Sequence, residues 1–186
     1  MVIYVKKLIG KFLKLFKTTK KTEWKDIEYF NEAWKVRIEN MSEYIEDDDD
    51  ILDLGCGEMW LKEYLSEKNR YFPVDYKDRG EGTLICNFNK YEYPNVIANT
   101  AFVSGCLEYI NDYSWFVDQI VFNQTKCVLS YCTAEEFPDI KDRERRTWVN
   151  NLTKNDVIEL FLDRGFTLKS VNHNFATIFV FEKLSE

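Results

Sequence analysis

The sequence predicts an α/β fold built on a mostly parallel sheet, and three observations carry that reading. From residue 51 onward, short apolar strands alternate with helical stretches, the order that crossover connections impose on parallel strands. The first strand runs into Asp53-Leu54-Gly55-Cys56-Gly57, an acid and two glycines at a strand's carboxyl end, where open α/β sheets bind their ligands. The last two strands, residues 166–171 and 177–181, are joined through Asn172-His173-Asn174. That link is too short for a crossover, so this pair must be antiparallel.

The elements follow in order. Residues 1–21 carry seven lysines and no acid, with Val5, Leu8, Ile9, Phe12, Leu15 and Phe16 on one helical stripe. Two readings stand side by side. One is a basic amphipathic helix lying on an anionic membrane surface, peripheral on its inner face. The other is a helix packed on its own domain or on a second subunit. Gly10 weakens a helix in either case. Residues 22–186 form the main domain. Its first helix spans residues 24–45, where Ile27, Phe30, Trp34, Ile38, Met41 and Ile45 recur at spacings of three and four. This is a core-facing stripe whose aromatics need no role beyond packing. The acidic run 46–50 reads as a solvated loop. Strand 51–54 leads into a helix over 58–68. Strands follow at 71–75, 83–86, 101–104 and 127–132, with a helix near 113–122. A further helix opens at Thr153 with a T-x-x-D capping box and closes at Gly165.

Composition limits the function classes. The chain of 186 residues is 45% apolar and 31% charged with net charge −7, the balance of a globular protein. Because the lysines of 1–21 are unopposed, the remaining body is more acidic still, so a nucleic-acid partner is not expected. Five cysteines without a C-x-x-C pair read as reduced thiols of a cytoplasmic protein, and their spacing matches no zinc site, so no metal is expected. No apolar run reaches the roughly 18–20 residues that span a bilayer. The richness in Lys, Asn and Ile points to an AT-rich bacterial genome.

The glycines and acids carry the chemistry. Gly55 and Gly57 remove side chains where a ligand must touch the backbone. Asp75 closes the next strand, placed to accept both hydroxyls of a ribose. The dinucleotide fingerprint needs a third glycine where this chain has Trp60, which argues against NAD or FAD. S-adenosylmethionine, a sulfonium cation without pyrophosphate, suits a site lined with carboxylates.

With these residues in order, the chain resembles the class I S-adenosylmethionine-dependent methyltransferases over roughly residues 45–184. The resemblance rests on Asp53-Leu54-Gly55-Cys56-Gly57, Asp75, Cys86-Asn87-Phe88-Asn89, Ser104-Gly105-Cys106-Leu107-Glu108-Tyr109-Ile110 and the antiparallel end pair. It implies a Rossmann-like seven-strand sheet whose last strand is antiparallel and inserts between the fifth and sixth. It implies an enzyme that uses S-adenosylmethionine as cofactor. The implied cofactor-binding residues are Asp53, Gly55, Cys56 and Gly57 at the turn, Asp75 at the ribose, Asn87 at the adenine amino group, Tyr76 and Phe88 as faces for the adenine ring, and Ser104 beyond the fourth strand. Two departures stand out: Met59 occupies the family's third glycine, and Asn87 replaces its adenine-binding acid.

Acceptor residues are sought after the fifth strand. Tyr131, Arg143, Arg145, Arg146 and Trp148 are nominated, because arginine forks suit phosphate or carboxylate and an aromatic face suits a sugar or base. The competing reading of the arginines is an exposed helix paired with Asp139, Asp142 and Glu144. His173, the one histidine, lies in a turn and reads as structural, and no catalytic base is assigned. The expected activity is methyl transfer to a small-molecule or glycan-type acceptor, phosphorylated or acidic, with a resemblance around 106–110 and 148–152 to small bacterial enzymes of surface-polysaccharide modification. The alternative is a non-catalytic cofactor-fold binding module acting through its N-terminal helix.

Overall fold

Strand β1 (Asp50–Leu54) is the axis of the sheet, and four of its five residues are buried. It pairs in parallel with β2 (Arg70–Asp75) on one side and with β4 (Thr100–Ser104) on the other. β3 (Leu84–Ile85) extends the sheet beyond β2, and β5 (Lys126–Tyr131) extends it beyond β4, both in parallel. β7 (Thr177–Lys183) runs antiparallel to β5, and β6 (Phe166–His173) runs antiparallel to β7. The order is therefore β3-β2-β1-β4-β5-β7-β6. The chain leaves β1 in one direction and β4 in the other, so the crevice of a doubly wound sheet opens between their carboxyl ends. This computed structural model describes residues 25, 30–80, 82–173 and 176–184. The basic segment 1–21 and most of residues 22–29 lie outside the described residues, and so does the predicted membrane or packing role of the first.

Strand alternation sorts side chains between two cores. Ile51, Phe102, Val128 and Ile178 face helix α1 (Ala33–Ser42), meeting its Ile38 and Met41. Leu52, Leu54, Val103, Leu129, Phe179 and Phe181 face the other way. There they meet Phe116 and Ile120 of α2 (Tyr113–Asn123) and, after the short helix α3 (Ile140–Arg145), Val157 and Phe161 of α4 (Lys154–Leu162). Helices on both faces explain why the strands read as continuous apolar runs. The Thr153 capping box forms with Asp156 as expected, and Gly165 follows α4 at φ +82°. Asp112 caps α2 by accepting from the Trp115 amide at 3.0 Å.

Four expectations change. The helix expected to run to residue 45 ends at Ser42, and His173 closes strand β6 rather than lying in a turn. The helix predicted over 58–68 is a single 3₁₀ turn, Trp60–Tyr64. Met59 before it takes the left-handed conformation (φ 56°, ψ 30°), Leu65 after it is extended, and Asn69 then accepts from both the amide and the hydroxyl of Ser66 at 3.0 Å. Backbone turns at both ends override the apolar spacing. The acidic run is not uniformly solvated either. Asp49 is 3% exposed and accepts from Lys126 Nζ at 3.0 Å, Thr100 Oγ1 at 2.8 Å, Asn99 Nδ2 at 3.0 Å and the Glu46 amide at 2.8 Å. Burial pushes its carboxyl up, but these hydrogen bonds outweigh burial and hold it below the usual range.

Asp49 ties the amino-terminal edge of β1 to those of β4 and β5. Asp49→Ala leaves the buried Lys126 ammonium with only the exposed Glu46 at 3.5 Å and is expected to cost about 2–3 kcal/mol, read as a lower urea midpoint.

Candidate active site

The site begins at the turn that ends β1. The amides of Gly55 and Cys56 both donate to the Val74 carbonyl, at 2.8 and 2.9 Å, stitching the turn to β2. Gly55 has φ +88° and Gly57 φ +51°, the left-handed region that only glycine enters freely. Space forbids a side chain as well. A Cβ at Gly55 would sit 2.8 Å from Cys106 Sγ, and one at Gly57 would sit 2.6 Å from Phe30 Cε1. Met59 keeps the left-handed geometry of the third position without being glycine.

Two carboxylates flank this turn. Asp75, 4% exposed, accepts from the Gly57 amide at 3.1 Å and pairs with Arg79 Nε at 3.1 Å. The Arg79 guanidinium lies 5.2 Å from the centre of the Phe30 ring and 5.5 Å from that of Tyr76. Asp53, 3% exposed, accepts from the Tyr71 hydroxyl at 2.6 Å. Burial lifts its carboxyl to about 7; the Tyr71 hydrogen bond resists the shift, and the charge of Asp75 adds to it.

The remaining walls come from β3, β4 and the segments beyond them. Asn87 caps the 3₁₀ turn Phe88–Lys90, its side chain accepting from the Asn89 amide at 3.1 Å. Phe88 packs on Phe116 with ring centres 4.9 Å apart. Ser104 Oγ accepts from Arg37 Nε at 3.1 Å. Gly105 is again left-handed at φ +62°, and a Cβ there would lie 2.8 Å from Arg37 Nη2. The Glu108 carbonyl accepts from the Val149 amide at 2.8 Å, drawing the 147–150 segment over the site, and Trp148 Nε1 donates to the Tyr109 hydroxyl at 3.3 Å.

One cavity of about 600 Å³ gathers these groups. Asp53, Gly55, Cys56 and Gly57 line it, as do Asp75, Tyr76, Asn87, Phe88 and Ser104. The nominated acceptor residues divide. Trp148 and Arg146 line the cavity, with the Arg146 guanidinium 5.4 Å from the Trp148 ring and its Nε donating to Asp142 at 2.8 Å. Arg143, 1% exposed, donates instead to the carbonyls of Cys132 at 2.9 Å and Asn150 at 3.1 Å, to the Tyr131 hydroxyl at 3.1 Å and to Asn151 Oδ1 at 2.7 Å. It is an internal staple, and Tyr131, fully buried and also bonded to Asn150 at 2.6 Å, belongs to the same staple. Arg145 is a surface residue paired with Asp142 at 3.1 Å. The paired-helix reading thus describes Arg145 and part of Arg146, and neither reading foresees Arg143. His173 pairs with Glu136 at 2.8 Å and does not line the cavity.

Sequence reasoning missed the contribution of α1 and the segment before it. Phe30, Trp34 and Arg37 all line the cavity. The signal was present, for Arg37 sits on the stripe of Trp34, Ile38 and Met41, where a purely packing face has no use for a guanidinium. Glu108, inside the Ser104–Ile110 segment, also lines the cavity. Burial raises its carboxyl, against the Cys132 amide and the Arg37 charge that favour ionisation. Burial likewise raises the Cys56, Cys106 and Cys132 thiols, so none of them is a ready nucleophile.

No family model matches the chain, and no curated protein matches it in sequence. Solved structures do. 1,6-Didemethyltoxoflavin-N1-methyltransferase of Burkholderia thailandensis, with bound 1,6-didemethyltoxoflavin and S-adenosylhomocysteine, aligns at TM-score 0.65 and 13% identity, covering 98% of this chain and 89% of that one. Magnesium protoporphyrin IX methyltransferase of Synechocystis PCC 6803, with bound S-adenosylmethionine, aligns at 0.63 and 11%, covering 92% and 94%. CalO1, a methyltransferase in calicheamicin biosynthesis, aligns at 0.60 and 12%, covering 81% of this chain and 54% of its own. The chain has the Rossmann-like class I methyltransferase fold, with the seven-strand order and antiparallel β7 that the resemblance implied.

Two outcomes test this geometry. A carboxyl raised to about 7, against roughly 3.9 unfolded, stabilises the fold most below pH 4, and that contribution is lost as pH rises through 7. Asp53→Asn stays neutral throughout and can still accept from Tyr71. It should therefore melt above the parent at pH 8, with the gap closing toward pH 5 in thermal scans. Arg143→Ala should cost at least about 3 kcal/mol by orphaning several buried acceptors, whereas Arg145→Ala should stay within about 0.5 kcal/mol in the same denaturation assay.

Proposed function

We propose that this chain transfers the methyl group of S-adenosylmethionine to a small-molecule acceptor. The observation that carries the proposal is the joining of the left-handed glycine turn, Asp53 and Asp75 at the carboxyl ends of neighbouring strands in one cavity. The residues fit the cofactor. The turn lines the cavity with backbone, which its left-handed angles and the nearness of Phe30 and Cys106 keep free of side chains. A carboxylate offers about four acceptor positions, so Asp75 can take ribose hydroxyls while keeping Gly57 and Arg79. Tyr76 and Phe88 offer ring contacts to the adenine. The Asn87 oxygen already serves the Asn89 amide, so adenine recognition is shared with neighbouring backbone. When bound, the cofactor supplies an activated methyl group on a sulfonium. The work left to the chain is to bind, orient and exclude water.

A small-molecule acceptor is proposed in preference to a glycan. The names of the compared structures give a toxoflavin precursor and a protoporphyrin as acceptors, and the walls beyond Ser104 are aromatic, with Trp34, Phe137 and Trp148. None of the three structures described above is named for surface-polysaccharide modification, and peripheral membrane attachment rests on residues 1–21, outside the described structure.

Asp75→Ala should weaken S-adenosylhomocysteine binding at least about tenfold by calorimetry while leaving the melting transition cooperative. Unchanged affinity in a folded variant would reject the cofactor assignment.

A further inference from the structure

We infer that Arg37 and Glu108 form a donor–acceptor edge that grips the acceptor, and that the acceptor is a flat ring compound presenting a neutral N–H or O–H beside an oxygen. The inference rests on the methyl-transfer reading and deepens it, since it concerns the part of the cavity that the cofactor residues do not account for.

Glu108 is 1% exposed and lines the cavity. Its Oε1 accepts from the Cys132 amide at 2.9 Å, whereas its Oε2 has no hydrogen-bond partner among the described residues. Buried carboxylate oxygens are nearly always satisfied, so an orphan on a cavity wall marks a place where another molecule donates. Arg37 faces the same space at 8% exposure. Its Nε is spent on Ser104, and its terminal nitrogens have no hydrogen-bond partner among the described residues. The two charges influence each other, yet they do not close into an ion pair within 4 Å, as Lys126 and Asp49 do at 3.0 Å. A buried guanidinium and a buried carboxylate that line one cavity without pairing can be bridged by a group that accepts from one and donates to the other.

Thr147 marks the same space independently. It lines the cavity with a buried hydroxyl that has no partner among the described residues. Its backbone is held at φ +61°, a costly conformation for a β-branched residue and of the kind that collects at ligand sites. The walls supply the shape. Trp34 lies against Arg37, Tyr109 follows Glu108, and Trp148 is bonded to Tyr109 and meets Phe137 edge-on at 5.3 Å. Aromatic walls suit a flat unsaturated body. The edge favours such a group over the phosphorylated acceptor that the arginine run suggested, although Arg146 of that run lines the cavity. A phosphate would face the Glu108 carboxylate and leave its free oxygen without a donor, while Arg143 and Arg145 point elsewhere.

The test uses the full chain saturated with S-adenosylhomocysteine, titrated by calorimetry with two probes and their blocked twins: 2-quinolone against N-methyl-2-quinolone, and catechol against 1,2-dimethoxybenzene. At least one unblocked probe should bind at least tenfold more tightly than its twin. Glu108→Gln, which still accepts from the Cys132 amide, should erase that preference without moving the S-adenosylhomocysteine affinity, in a variant whose thermal transition stays cooperative. Arg37→Lys should weaken the probe at least fivefold. Equal binding of probe and twin, no binding of either probe to a protein that binds S-adenosylhomocysteine, or tighter binding of glucose 1-phosphate would overturn the inference. Failure of S-adenosylhomocysteine to bind the parent would instead remove the methyl-transfer reading on which it rests.

Discussion

The glycine turn after β1 is the constraint on which the rest of the site depends. Two consecutive amides, of Gly55 and Cys56, spend themselves on one carbonyl of β2, and the third, of Gly57, spends itself on the Asp75 carboxylate. The turn cannot relax without breaking the junction of β1 and β2, and no other residue type tolerates its dihedral angles together with the nearness of Cys106 and Phe30. The carboxyl ends of two strands are thus locked at a common level, and the cavity opens above them. Asp53 lies beneath it, buried and held by Tyr71.

The amino-terminal edge of the sheet solves the converse problem. There Asp49 and Lys126 neutralise each other and are surrounded by further hydrogen bonds. At the carboxyl edge, Glu108 keeps one oxygen without a partner among the described residues, and Arg37 does not pair with it. A fold optimised only for stability would have closed that pair or replaced it with apolar side chains. The contrast between two buried charge clusters in one small sheet separates what holds this protein together from what it holds open for a ligand.

The three arginines after the fifth strand show how little residue type says about role. They share a charge and a stretch of chain, yet Arg143 is an internal staple, Arg145 a solvated ion pair and Arg146 a wall of the cavity. The helical step separates Arg143 from Arg145, and Arg146 lies just past the end of α3. Net charge and arginine density were legible; their division among core, surface and site was not. Arg37 teaches the reverse lesson, since its place on an apolar stripe could have been recognised from spacing alone.

Strand alternation, the strand-end acids, the glycines and the Thr153 capping box were determined by the sequence itself, because each depends on residues within a few positions of one another. From them followed the antiparallel end pair and the residues around the glycine turn, while the sheet order was implied by the family resemblance that these residues carry. The tertiary structure alone decided the rest. It reduced the 58–68 helix to one 3₁₀ turn, buried Asp49 out of an acidic run, and brought α1 across the cavity so that Trp34 and Arg37 face Ser104 and Glu108. Each of these turns on contacts between residues far apart in the chain, such as the 67 positions between Arg37 and Ser104. Local propensity and periodicity carry no information about such pairs, and only the packing of helix on sheet brings them together.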